Sequence, residues 1–146
     1  MSQTNPEPRT SNPESFATLI RAMESLLERL LAVSERQLMF VQNEDEELLN
    51  QLLGHKAKLF DERERISRLL DPYRDIPEEE RRWNSETEKK ETQAARDHCA
   101  QLLQEILRLD DQSLQVRSQQ METLKAKLRQ VRQGGRLHEV YSKQKK

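Results

Sequence analysis

Glycine, proline and aromatic residues are scarce in this chain. Three glycines and five prolines in 146 residues cannot punctuate a many-stranded sheet, which needs turn residues at short intervals. A β fold is excluded. Aromatic residues make up 4 % and apolar residues 34 %, below the about 45–50 % of a typical globular domain, so the core must be narrow. Cys99 is alone, which excludes an internal disulfide and a thiolate zinc cluster and suits a reduced, intracellular setting. No apolar run reaches the roughly 18 residues needed to cross a bilayer. The polar start Met1 to Asn12, with Pro6 and Glu7, lacks the apolar stretch of a signal peptide. These absences lead to the expectation of a cytoplasmic protein with no membrane insertion.

Charge is abundant and balanced. Charged residues reach 35 %, yet the net charge is −1. Half of the chain is Ala, Glu, Lys, Leu or Arg, a composition that marks long helices when the 3.5–3.6 period is present. The charges are also separated along the chain. Residues 117–146 hold nine Lys or Arg and two acids, a local charge of +7, which leaves −8 on residues 1–116. An acidic body is joined to a basic end.

The period is present. Residues 1–12 read as a disordered arm with too little apolar surface to offset ordering entropy. Asn12, Pro13 and Glu14 form a helix-start signal. Phe16, Leu19, Met23, Leu26, Leu30, Val33 and Phe40 then recur at 3-and-4 spacing, with one polar gap at Gln37, which predicts a helix near 13–41. Asn43, followed by Glu46, offers a capping box for a second helix near 44–70. Its stripe includes Leu49, Leu52, Leu59, Phe60, Ile66 and Leu70, and Asp71-Pro72 predicts its end. The short link between the two favours a hairpin over one fused rod. Asp75, Pro77 and Glu78 predict a third helix near 77–133. Within it, residues 84–93 are all polar and read equally as solvated helix, hinge or loop. The stripe resumes through Ala95, Cys99, Leu102, Ile106, Leu109 and Val116 to Leu124, Leu128 and Val131, with Ser113 and Gln120 as gaps. Gly134-Gly135 predicts the stop, leaving 134–146 as a basic tail. The expected fold is therefore all-α, an elongated antiparallel bundle of three principal helices in one domain over 13–133.

No set of residues converges on chemistry. His55, His98 and His138 lack a metal-ligand spacing, and Glu44 to Glu47 lacks the alternating oxygens and glycine of a calcium loop. Cys99 falls on the core stripe and reads as a structural thiol rather than a nucleophile. The expectation is a protein that is not an enzyme and carries no metal or cofactor. Trp83 reads as an anchor of the preceding turn on the bundle, or as an exposed partner contact. The basic end has one aromatic, Tyr141, and no nucleic-acid reading motif, and its apolar anchors are few for a membrane-surface helix. An apolar stripe flanked by charge suits recognition of a partner helix; packing within the bundle or a homodimer seam is the plainer alternative. Length favours an exposed end. The stripe from Ala95 to Val131 runs about 55 Å, whereas the first two helices offer about 40–43 Å.

The order of features resembles the FlgN-type flagellar export chaperones, relatives of the FliT-type ones. The resemblance is carried by "LIRAMESLLERLLAVSERQLMF", "NEDEELLNQLLGHKAKLFDERERI", "EILRLDDQSL" and "LKAKLRQVRQGGRLHEVYS", spanning about residues 16–142. It implies a small cytosolic helical chaperone without ATPase activity that serves type III export. By the same resemblance its clients are hook–filament junction proteins, bound through the C-terminal amphipathic segment. Carried onto this sequence, that segment comprises Met121, Leu124, Leu128 and Val131, with Val140 and Tyr141 in the ending. Export-apparatus components and a homodimer are further partners left open. The rival expectation is a structural coiled-coil scaffold or stalk that self-associates.

Overall fold

The structure is a computed structural model that describes residues 15–77, 81 and 83–144, with side chains up to residue 135. Three helices follow one another: α1 (Phe16–Gln42), α2 (Glu46–Arg74) and α3 (Glu86–Gln144). Among the described residues there is no strand. The chain is an all-α bundle. α1 is central and packs along both other helices, while α2 and α3 meet each other only through side chains. Paired residues fix the directions. Gln37 meets Lys56 and Phe16 meets Tyr73, so α2 runs back along α1. Arg21 meets Glu91, Ser34 meets Asp110, and the Val41 carbonyl meets Gln120, so α3 runs parallel to α1. The order is up-down-up.

The core follows the sequence stripes closely. Leu19, Leu26, Leu30, Val33, Leu52, Leu59, Ile66, Leu102 and Ile106 are buried together. Phe60 departs from expectation at 43 % exposed. Leu59 takes the inward position, and one residue turns Phe60 by about 100° to a place where the Lys56 ammonium lies 5.8 Å from its ring. At the start of α1, Phe16 meets Tyr73 at 5.4 Å with the rings tilted and meets Trp83 edge-on at 6.0 Å. Trp83 is half-buried there and anchors the α2–α3 connection, one of its two expected roles.

The helix ends differ most from the sequence reading. α1 starts at Phe16, with the Ser15 side chain accepting from the Thr18 amide; the expected arm and the Asn12-Pro13-Glu14 start lie outside the described residues. Asn43 does not cap α2. It is the C-cap of α1, and Glu44 follows at φ 54°. The Glu44 amide donates to Val41 O and the Asp45 amide to Phe40 O, which is a Schellman closure with glutamate in the left-handed position. Asp45 then caps α2 by accepting from Leu48 N. The hairpin expected between the first two helices is present, with its turn at 43–45.

Pro72 does not stop α2, which runs on to Arg74. Pro72 deprives the Arg68 carbonyl of its usual donor, and the helix continues for one residue pair in which Tyr73 packs against Phe16. α3 does not start at Pro77. Residues 78–80 lie outside the described residues, and the helix starts at Glu86. Ser85 Oγ accepts from Glu88 N, and the Glu88 carboxylate accepts from the Asn84 amide and side chain, a variant capping box. Most of the polar interval 84–93 is therefore helix, and Thr92 within it is fully buried with its hydroxyl donating to Glu88 O. Gly134-Gly135 does not end α3 either. Neither glycine takes a positive φ, and helix propagation adds a hydrogen bond for every residue fixed, so the expected tail continues as helix to Gln144.

Candidate partner-binding site

The three helices differ in length by a factor that creates the site. α1 has 27 residues, α2 has 29 and α3 has 59. Among the described residues, the hydrogen bonds to the hairpin furthest along α3 are made at its turn. The Arg117 guanidinium pairs with the Glu46 carboxylate, one hydrogen bond being 2.7 Å, and Gln120 Nε2 donates to Val41 O at 2.6 Å. Beyond Gln120, residues 121–144 overhang the turn, about 36 Å of helix at 1.5 Å per residue. All of residues 121–135 are exposed.

The overhang carries large apolar side chains with no described body beside them. Met121, Leu124 and Leu128 are about half exposed and Val131 is 70 % exposed. Their 3-4-3 spacing places all four on one side of the helix. These four expected site residues are thus brought together on one uncovered stripe. Val140 and Tyr141 lie in the same helix, but their side chains lie outside the described residues. At the base of the overhang an open cleft of about 570 Å³ runs between the turn and α3, lined by Glu44, Val116, Gln120, Met121, Leu124 and Lys127.

Electrostatics at this base are set by one pair. The Arg117 guanidinium beside Glu46 holds that carboxyl below its usual value, through hydrogen bonding first and charge second. Further down, a buried polar network ties all three helices. Lys56, on α2, is buried and donates to Gln37 Oε1 at 2.6 Å and to Asp110 Oδ1 at 2.7 Å, while Ser34 Oγ donates to the same oxygen at 2.9 Å. The sequence reading missed Lys56. The available signal was its position, which fills the gap between Leu52 and Leu59 on an otherwise apolar stripe. Cys99 is half-buried against the Ile20 carbonyl, and burial pushes its thiol up to about 11, which keeps it protonated at neutral pH.

Among the described residues, no group of three His, Cys, Asp or Glu side chains could hold a metal ion, and no helix is long and apolar enough to cross a membrane. The fold and site define a class of molecule: a three-helix all-α bundle whose third helix carries an uncovered amphipathic extension. No family model, curated protein or solved structure matches the chain.

Proposed function

We propose that the chain is a cytosolic export chaperone of the FlgN type, which shields the amphipathic helix of a hook–filament junction protein before type III secretion. The observation that carries the reading is the uncovered stripe Met121, Leu124, Leu128 and Val131 beyond the end of the hairpin. A client helix laid along it would cover apolar surface that the chain's own described core does not, as in helix-in-groove recognition. Lys125, Lys127, Arg129 and Arg132 beside the stripe favour a client with acidic flanks. The protein acts by binding alone, without catalysis, and export-apparatus components are candidate later partners.

Calorimetry with a junction-protein fragment tests this. The wild-type chain should bind in a 1:1 complex, and Leu124→Glu with Leu128→Glu should abolish binding, because an unpaired carboxylate is costly in an apolar contact. Unchanged affinity in the double variant removes the site, and no binding by the wild type removes the function. The rival reading as a self-associating scaffold is favoured by the length of α3, and rods or open-ended oligomers in sedimentation would replace the chaperone with it.

A further inference from the structure

The apolar surface of α3 does not begin at the overhang. Leu107 and Leu114 are 60 % and 70 % exposed although they lie alongside the body. With Met121 and Leu128 they form one line at seven-residue intervals, the spacing at which helices wrap in a left-handed supercoil. Two members of the line lie over the body and two lie on the overhang.

Over the body this line borders a groove. The backbones of α2 and α3 do not come close among the described residues, and the ion pairs Lys56–Asp110 and Glu46–Arg117 cross between them. Leu53 and Phe60 follow Glu46 on α2 at seven-residue intervals, so they lie on the flank of α2 that faces α3. Both are exposed. Outside its two ion pairs, the seam between α2 and α3 is therefore rimmed by exposed apolar side chains on both helices.

Charge distinguishes the possible occupants. The groove flank carries Glu64, four residues after Phe60, and Asp111, between Leu107 and Leu114; both are exposed. The overhang flank carries Lys125 and Arg132, each four residues after a member of its stripe. Two overhangs laid on each other would oppose like charges. An overhang laid on a groove opposes unlike ones, and the same sign relation holds between residues 117–146 at +7 and the remainder at −8.

We propose that a second copy of this chain fills the groove, in an antiparallel two-fold dimer that lays the overhang of each copy on the α2–α3 groove of the other. The two-fold falls between Arg117 and Ser118, which sets Leu107 opposite Leu128 and Leu114 opposite Met121. Lys125 then comes against Asp110 and Asp111. The contact is isologous and closed, so it ends at two copies. It does not depend on the client reading, and a client would have to displace the second copy from Met121 and Leu128.

The test uses the full chain alone. Sedimentation should find a dimer that weakens as added salt shortens the Debye length, and Leu128→Glu should return it to a monomer of unchanged helicity. In a Cys99→Ser background, chains carrying Leu114→Cys should cross-link to chains carrying Met121→Cys, and chains with either substitution alone should not. A monomer at every concentration, a dimer that survives Leu128→Glu, or cross-links between like positions overturns the proposal. Calorimetry with a junction fragment is a separate measurement, so failure of the dimer leaves the client reading untouched.

Discussion

Lys56 and Asp110 meet at 2.7 Å across the α2–α3 seam, and the lysine side chain is only 7 % exposed. Gln37 and Ser34 of α1 complete their hydrogen bonds, so one charged pair joins all three helices. A slip of α3 by one heptad would put Leu103 or Arg117 in place of Asp110 and leave the ammonium facing an apolar or like-charged group. The pair thereby fixes which residue of α3 is the last to touch the body.

Removing one partner should show this. Asp110→Ala leaves Lys56 buried with Gln37 alone, and loss of one member of a buried pair costs about 3–5 kcal/mol. Lys56→Met should cost less, because Asp110 is 27 % exposed and keeps the Ser34 hydroxyl. Urea midpoints of the two variants measure the difference; equal losses would mean the pair is no more than surface charge.

Leu30 is 1 % exposed at the centre of the core. Leu30→Ala should cost about 2–5 kcal/mol, a large part of the stability of a narrow bundle. At concentrations where the chain is monomeric, Leu124→Glu with Leu128→Glu should leave the melting temperature of the body unchanged, since both side chains lie beyond Gln120. Thermal unfolding followed by circular dichroism compares them.

The turn residue Glu44 sits at φ 54°, a conformation that costs a side-chain-bearing residue about 1–2 kcal/mol. Glu44→Gly should recover up to about 1 kcal/mol, part of the gain being offset by the added freedom of the unfolded chain. An unfolding midpoint that falls would show that the attraction between the glutamate side chain and Arg117 contributes more than the backbone loses.

Burial holds the Cys99 thiol up to about 11, above its ordinary 9.0. A raised value stabilises the fold below pH 9 and the contribution is lost as pH rises toward 11. Alkylation of Cys99 at pH 8 should therefore be slow in the native protein and accelerate in urea. Equal rates in both states would place the thiol in solvent.

Glu46 has the opposite sign. Its lowered value means that the Arg117 pair stabilises above the ordinary carboxylate range and is lost on acidification through the lowered one. Amides of α3 near Arg117 should lose protection from hydrogen exchange in acid, and Arg117→Gln should remove that pH dependence.

The three helices, their stripes and the uncovered end of the third were legible from spacing and length alone. Leu26, Leu30 and Leu102 lie in the core because apolar residues at 3-and-4 steps have one face to bury. The ends were not legible. Glu44 closes α1 where a glycine would be the usual signal, and α2 runs past Pro72 to Arg74, with the neighbouring Tyr73 packed on Phe16. The Ser85–Glu88 cap was readable, being a serine followed three residues later by glutamate, but Pro77 and its acidic neighbours offered a competing start. Lys56 was hidden for another reason. Its place in the gap between Leu52 and Leu59 marks it as inward-facing, but its partners Gln37 and Asp110 on two other helices are not legible from spacing.

Among the described atoms outside their local helix backbone and chain neighbours, nothing lies within 4 Å of where a side chain would stand on Gly134 or Gly135. Each makes the helix about 0.8–1.0 kcal/mol less favourable than alanine would, at a point where no neighbouring element compensates. The stripe ends at Val131 just before them, and Val140 and Tyr141 follow. The glycines therefore divide the overhang like a perforation in a strip: the stretch up to Val131 can be gripped as one piece, while the final turns can unwind without disturbing it.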